Sequence, residues 1–534
     1  MINKKQKMLG CLFARRQGRG YVAALWIFIL SVTSCGRIFD NTPFSHVADS
    51  YSLPKDSLKR AAAEYLGRYA DFHYGRSRYL VDVAGRRVPD MNPQAFTTDT
   101  LYRAFLDSSG YRYVESGPVF DSDTITEDYI RENIELAFDS WRKPWAKDVS
   151  FADFCTYILP YRNADEELSG WRRYFKNKYE ASILDSVSNP RSMRAVVAYL
   201  MRRLEQDIAY GTQLKTFYKP FMTPHQDEMM HTLGCQELAH YGTLALRACG
   251  VPCQMIDIGW RFTEVDHSSI LIPRVGSNES LFRVSIHDSR QVMPAEKDTM
   301  ASWRSMAYTY EVDSGLLDLR ADTDVISGFG NPVTRRDVTS LLSTTHTLTL
   351  PVPEEWRGKK HLFLCRFVRW QWEPIREGRV QGDSVVFRQA TIRQWYRLAA
   401  MDGKRTIPFG GTFTLTGDGR VMKYDCTGDS ALFKMVYNCE PDETRLTRHV
   451  TTYFWGHDNR WHPVTQDAVL WGLNEKTGEY RVFKESMRGR FKPVFHLLTT
   501  WQPSHTVFYD DETPRPLGFI VQDLYSKEGY FMQF

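Results

Sequence analysis

The residues most able to do chemistry lie in the run Leu233-Gly234-Cys235-Gln236-Glu237-Leu238-Ala239 and in the pair Asp266-His267. A cysteine directly after glycine, at the first turn of a helix, has its thiolate favoured by the helix dipole and by free backbone N–H groups, so its pKa is expected to fall. The same N–H groups can hold an oxyanion. The base must come from elsewhere in the fold, and His267 stands at the entrance of a strand pair. If 268–272 and 281–286 form an antiparallel hairpin, paired positions sum to about 554. His267 then faces roughly His287, with Asp288 beside it to orient the imidazole through its second nitrogen. A slip of register leaves Asp257 and Asp266 open as the acid, and Ser285 or His287 could take its place.

These groups need a helix, a turn and a sheet to hold them. Residues 236–248 carry a helical pattern that runs through Gly250-Val251-Pro252 into three β-prone runs, 253–258, 268–272 and 281–286. Upstream, from Leu53 to about Tyr210, the periodicity is helical. Thr124 with Glu127 reads as a capping box ahead of Ile130, Ile134 and Phe138. Ser150 with Asp153 repeats the device before Phe154, and Met193, Val197, Leu200 and Leu204 form a third stripe. Beyond Thr344 alternating strands and turns such as Gly417-Asp418-Gly419 take over. Trp372-Glu373-Pro374-Ile375 and Trp461-His462-Pro463-Val464 form a short repeat, which suggests two small β-sandwich modules. The fold class expected is α+β, with a helical region over 35–210, a core over 211–340, and β-rich modules over 345–440 and 441–534.

Other combinations of the same residues are weaker. His231, Cys235, Cys249, Cys253 and His267 contain no close Cys-x-x-Cys pair and no His-Glu-x-x-His run, so no metal site is nominated. Cys249 and Cys253 flank the Gly-Val-Pro turn as core residues or as a disulfide, and Cys426 could pair with Cys439. His240, five residues beyond Cys235, lies about 140° around an ideal helix from it and reads as structural. Gln226 and the residues before Gly234 are candidates for a side-chain oxyanion donor. No calcium loop is visible, and the reading calls for no cofactor.

The chain has 534 residues, 43% hydrophobic and 25% charged, enough for several domains and too polar for a multi-span transporter. Its formal charge of +4 includes six Lys or Arg within residues 1–34, and the remainder holds 62 basic against 64 acidic residues, so no nucleic-acid partner is implied. That basic stretch precedes an apolar run, 21–32, too short to span a bilayer core that needs roughly 20 residues, as in a signal peptide. Val32-Thr33-Ser34-Cys35 resembles the lipobox of bacterial lipoproteins. The resemblance implies acylation of Cys35, a bilayer as partner and, with Gly36 following, an outer-membrane address.

The run Gly234-Cys235 to Ala239, then Leu246-Arg247-Ala248-Cys249-Gly250-Val251-Pro252, a strand and His267 resembles the transglutaminase-like superfamily, whose core is papain-like with a Cys-His-Asp triad. The likeness covers about 60 residues closely, within the core expected over 211–340. The stretches Trp141-Arg142-Lys143-Pro144-Trp145 and Ile158-Leu159-Pro160-Tyr161-Arg162 look like the N-terminal part of large Gram-negative lipoproteins that carry this core. The resemblance matches Cys235 to the nucleophile, His267 to the base and, more loosely, Asp288 to the acid. It implies a thiol peptidase or amidase acting on a peptide or protein substrate. The aromatic that commonly follows the family's histidine is replaced by Ser268 and Ser269, and the acid's usual Trp and Asp-Pro context reads Phe282 to Asp288. The alternative is an inactive surface lipoprotein that binds glycan, peptide or a partner protein.

Overall fold

The computed structural model describes most of residues 42–424, leaving out among others 90–98, 212–220, 261–266, 287–291 and 298–301, and beyond 424 only strand segments between 432 and 532. The expectations for Cys35, His231, Asp266, His287, Asp288 and Cys426 fall outside the described residues.

Helices dominate the first part: α1 (Pro43–Ser50), α2 (Ser57–Tyr69), α3 (Glu127–Trp141), α4 (Phe151–Tyr157), α5 (Trp171–Ser186) and α6 (Met193–Asp207). Their starts follow side-chain chemistry. Thr42 and Ser45 exchange hydrogen bonds in a capping box, Ser150 accepts from the Asp153 amide, and Ser192 accepts from that of Ala195. The expected box at Thr124 and Glu127 is displaced. Thr126 is the cap of α3, accepting from the Tyr129 amide, while Thr124 ends a preceding helical turn and donates to the Phe120 carbonyl. Glu127 becomes the first residue of α3, where an acid still suits the helix dipole.

Helix α7 (Cys235–Ala248) packs on a six-stranded antiparallel sheet of β1 (Gln254–Trp260), β2 (His267–Ile272), β3 (Phe282–Val284), β4 (Met293–Pro294), β5 (Ser302–Tyr308) and β6 (Arg335–Asp337), in the order β4-β3-β2-β1-β5-β6. Gly242 sets the separation, since a Cβ there would stand 2.7 Å from Ile270 and 2.8 Å from Ile286. The helical region and this sheet share one apolar core that includes Phe44, Ile134, Phe175, Val197, Leu244, Ile270 and Tyr310. Residues of α7 from Leu238 to Ala248 are buried almost without exception, so the helix is central and not peripheral.

The far end of α7 is held by the two stretches singled out upstream. Ser140 Oγ donates to the Ala248 carbonyl at 2.7 Å and Trp145 Nε1 to that of Cys249 at 2.8 Å. Arg172, fully buried, donates to the carbonyls of Ile158, Leu159, Pro160 and Arg247. These carbonyls lie at or beyond helix ends, and the side chains hydrogen-bond them away from water.

Residues 345–424 form one antiparallel seven-stranded sheet: β7 (Thr345–Pro351), β8 (His361–Val368), β9 (Gln371–Gln381), β10 (Ser384–Thr391), β11 (Trp395–Met401), β12 (Thr406–Leu415) and β13 (Val421–Tyr424), in the order β7-β10-β9-β8-β11-β12-β13. Arg304 on β5 ties the two sheets together, donating to the Ile375 carbonyl at 2.8 Å and pairing with Asp337 and Glu377. The architecture is α+β. Among the described residues no helix is long and apolar enough to cross a membrane.

Candidate functional site

Cys235 is the first residue of α7, and Gly234 is its extended N-cap. A Cβ there would come 2.8 Å from Glu237 Oε2, whose carboxylate curls back over the helix start and would have to move aside. The backbone N–H of Ser268 and that of Cys235 itself act to lower the Cys235 thiol pKa. These groups stabilise a thiolate, yet the Cys235 pKa is raised. Burial is the largest cause, and the negative charges of Glu237 and Asp257 add to it. The expectation of a lowered pKa is therefore reversed, because desolvation and two nearby carboxylates outweigh the N–H groups of one helix end.

The side chain facing the Cys235 helix from the sheet belongs to Ser268. It stands directly opposite Asp257 across β1 and β2, and Ser268 Oγ donates to Asp257 Oδ1 at 2.6 Å. Asp257 Oδ2 accepts from the Tyr308 hydroxyl at 2.9 Å and from Arg335 Nη1 at 2.9 Å. Arg335 also lies over the Tyr308 ring at 4.1 Å, and Gln236 Nε2 donates to the Tyr308 hydroxyl at 3.5 Å. Tyr308 thus uses its single donor on Asp257 and its acceptor capacity on Arg335 and Gln236. The result is a connected polar floor beneath the first turn of α7.

His267 opens β2 opposite Ile258. Strand alternation places it with Ile258, Ser269 and Leu271 on the sheet face away from α7, whereas Ser268 and Ile270 face the helix. Its Nε2 lies 3.5 Å from Ser269 Oγ, which in turn meets Ser285 Oγ at 2.9 Å. The backbone N–H of Ser268, the residue after His267, nonetheless favours the Cys235 thiolate. The hairpin register agrees with the sequence arithmetic: Ile270, Leu271 and Ile272 pair with Val284, Arg283 and Phe282. Asp288, four residues beyond Val284, lies outside the described residues, and Asp257 is the carboxylate that the described structure brings to the Cys235 side of the sheet.

The remaining expectations resolve individually. Gln226 Oε1 accepts from the Thr223 amide and hydroxyl at the start of its own helix, so it serves as a local cap. His240 is wholly buried, bonds Asn163 through Nδ1 at 3.0 Å and is held neutral by desolvation, a structural role. Cys249 and Cys253 are free and buried, with their thiols pushed up by burial, and Cys253 Sγ reaches the Thr243 carbonyl. Among the described residues no group of three His, Cys, Asp or Glu side chains is disposed to hold a metal ion. Tyr308, Arg335 and Gln236 were not nominated from sequence. Tyr308 reads as one more aromatic in a β-prone run, and Arg335 lies 100 residues from Cys235. Only the pairing of β5 with β1 and β6 brings them together.

No family model and no curated protein matches the chain. Among solved structures, 24% of the chain is similar to 44% of a proposed cysteine protease from Cytophaga hutchinsonii, with 12% identity and a TM-score of 0.17. The match thus spans less than half the length of that protein.

Proposed function

We propose that the chain is a membrane-anchored thiol hydrolase with a transglutaminase-like, papain-like core, acting on a peptide or isopeptide amide, with Cys235 as nucleophile. The observation that carries this reading is the Cys235 thiol at the head of a buried helix packed on the strand that begins His267-Ser268, whose Ser268 N–H favours the thiolate. In the resting site the thiol keeps its proton. Because the His267 side chain starts on the face away from α7, the mechanism requires the first residue of β2 to turn at the strand end and bring the imidazole to that sulfur. The imidazole takes the thiol proton as the sulfur attacks the substrate carbonyl, and the oxyanion is held by the Cys235 N–H. His267 then protonates the leaving amine. Water hydrolyses the thioester with His267 as base, regenerating the thiol and releasing the acid. Asp288 is assigned the orienting role and acylated Cys35 the anchor in the outer membrane, while the β-rich modules present substrate to the core.

The test is turnover. Cys235→Ala should abolish amide hydrolysis while leaving the unfolding midpoint nearly unchanged, and His267→Ala should reduce kcat by at least about a hundredfold. Unchanged hydrolysis in Cys235→Ala would remove this reading.

A second reading is favoured by the raised thiol pKa and by the strand alternation that turns His267 from α7. In it the core is an inactive scaffold and the β-rich modules bind glycan, peptide or a partner protein. It expects ligand binding and cell phenotype to be the same in wild type and in Cys235→Ala.

A further inference from the structure

Beside the polar floor a cavity of about 180 Å³ opens, lined on one side by residues 72–76 and on the other by β5 and the segment leading into β6. Four aromatic rings wall it: Phe72, Tyr74, Phe221 and Tyr308. Phe221 stands edge-on to Tyr308, with centroids 6.2 Å apart at 89°. Gln236, the residue after Cys235, also lines it, so the cavity adjoins the turn that bears the thiol. It is smaller than the roughly 300 Å³ at which whole small-molecule sites begin, a size suited to one side chain of a larger ligand.

The charged groups around the cavity are paired among themselves. Arg76 is matched by Asp165, and Arg335 by Asp257. His73 is neutral at physiological pH, with its pKa pushed down to about 4 by burial, and its Nε2 donates to the Tyr310 carbonyl at 2.8 Å. A charged ligand group would have to break one of these pairs, whereas a neutral ring would not. One donor is left over: Arg335 Nε is buried with no acceptor among the described residues. The cavity therefore has walls of mixed apolar and polar character with its charged groups paired, and Arg335 Nε is buried within one of them.

We propose that this cavity receives one neutral aromatic side chain, tyrosine above all, from a peptide ligand. Offset and edge-to-face contacts with the four rings supply the attraction. A phenol hydroxyl suits the polar share of the lining, which includes Gln236 and Thr334, better than a bare phenyl ring does. The binding step stands by itself. The inference that the aromatic residue neighbours the scissile amide rests on the thiol-hydrolase reading above.

The probe is N-acetyl-L-tyrosinamide, titrated into the full chain and followed by ligand-observed NMR, with N-acetyl-L-glutamic acid α-amide as the acidic comparison. The tyrosine probe should bind saturably and at least about tenfold more tightly than the acidic one. Two substitutions on opposite walls, Ala164→Trp and Thr334→Phe, should each fill the space and weaken tyrosine binding about tenfold or more, with unfolding midpoints reporting that the fold persists. No saturable binding, equal binding of the acidic probe, or binding untouched in both folded variants would overturn the proposal. Tyrosine binding in a protein whose Cys235 performs no hydrolysis would sustain the cavity and remove the enzyme reading. Hydrolysis without aromatic preference and without probe binding would do the reverse.

Discussion

Asp257 and Ser268 stand opposite each other on neighbouring strands, and Ser268 joins Asp257 through its hydroxyl at 2.6 Å while its backbone N–H favours the Cys235 thiolate. One residue therefore couples the sheet's polar floor to the helix that carries the thiol. Removing the carboxylate strands Ser268, Tyr308 and Arg335 at once. Asp257→Ala is expected to cost about 2–4 kcal/mol of stability, read by urea denaturation at pH 7, since a partly buried cation loses its partner. A loss below the error of the extrapolation would show that water replaces the carboxylate without penalty.

The same carboxylate sets the reactivity of the thiol. Asp257 and Glu237 both raise the Cys235 pKa. Iodoacetamide should label Cys235 more slowly at pH 7 than a free cysteine of pKa about 8.5, and the rate should climb through the alkaline range. Asp257→Asn removes one of the negative charges, so at a given pH it should label faster. Intact-mass measurement under native conditions resolves both, and a variant that labels more slowly would reverse the electrostatic assignment.

Asp227, in the helix Pro224–Met230, has both carboxyl oxygens buried without partners among the described residues. Burial, then Glu237 and Glu228, hold its pKa well above the usual carboxylate value. The folded state thus keeps a proton that the unfolded chain loses near pH 4, and stability falls as pH rises from there through the folded-state pKa. Asp227→Asn should be the more stable protein at pH 8 by about 1–3 kcal/mol, with the gap closing toward pH 4. Thermal melts across that range check the sign.

His73 acts in the opposite direction. It is stacked on Tyr310 at 4.1 Å, and its pKa is pushed down to about 4. The unfolded chain takes up a proton near pH 6.5 that the folded state refuses, so the stability present above pH 6.5 is lost as pH falls toward 4. His73→Gln, which can keep a donor toward the Tyr310 carbonyl, should flatten the melting temperature between pH 6.5 and 4. An unaltered slope would assign the acid sensitivity elsewhere.

Gly250 ends the Cys235 helix with φ of +77°, and a Cβ there would stand 2.4 Å from the Ser140 carbonyl oxygen. Gly250→Ala combines a left-handed backbone with a collision against another backbone. It should destabilise by about 2–4 kcal/mol in denaturant unfolding. Tolerance would mean that α3 can shift away from the end of α7.

Local chemistry was readable from the residues alone. The glycine before Cys235, the capping serine at 150, the end of α7 at Gly250 and the register of β2 with β3 all follow from short-range pattern, because each depends on neighbours within a turn or a hairpin. The short-range pattern places the cap of α3 two residues early, since Thr124 has Glu127 at capping-box spacing, and only the backbone geometry selects Thr126. What tertiary structure decided is the environment of the thiol. Burial and the charges of Asp257 and Glu237 depend on which strands lie beside α7, and strand order brings Tyr308 and Arg335 to a site 73 and 100 residues from Cys235 in sequence. The cavity arises in the same way, from residues 72–76 meeting β5 and the segment before β6. Desolvation and charge pairing act through space, and a linear pattern carries no record of them.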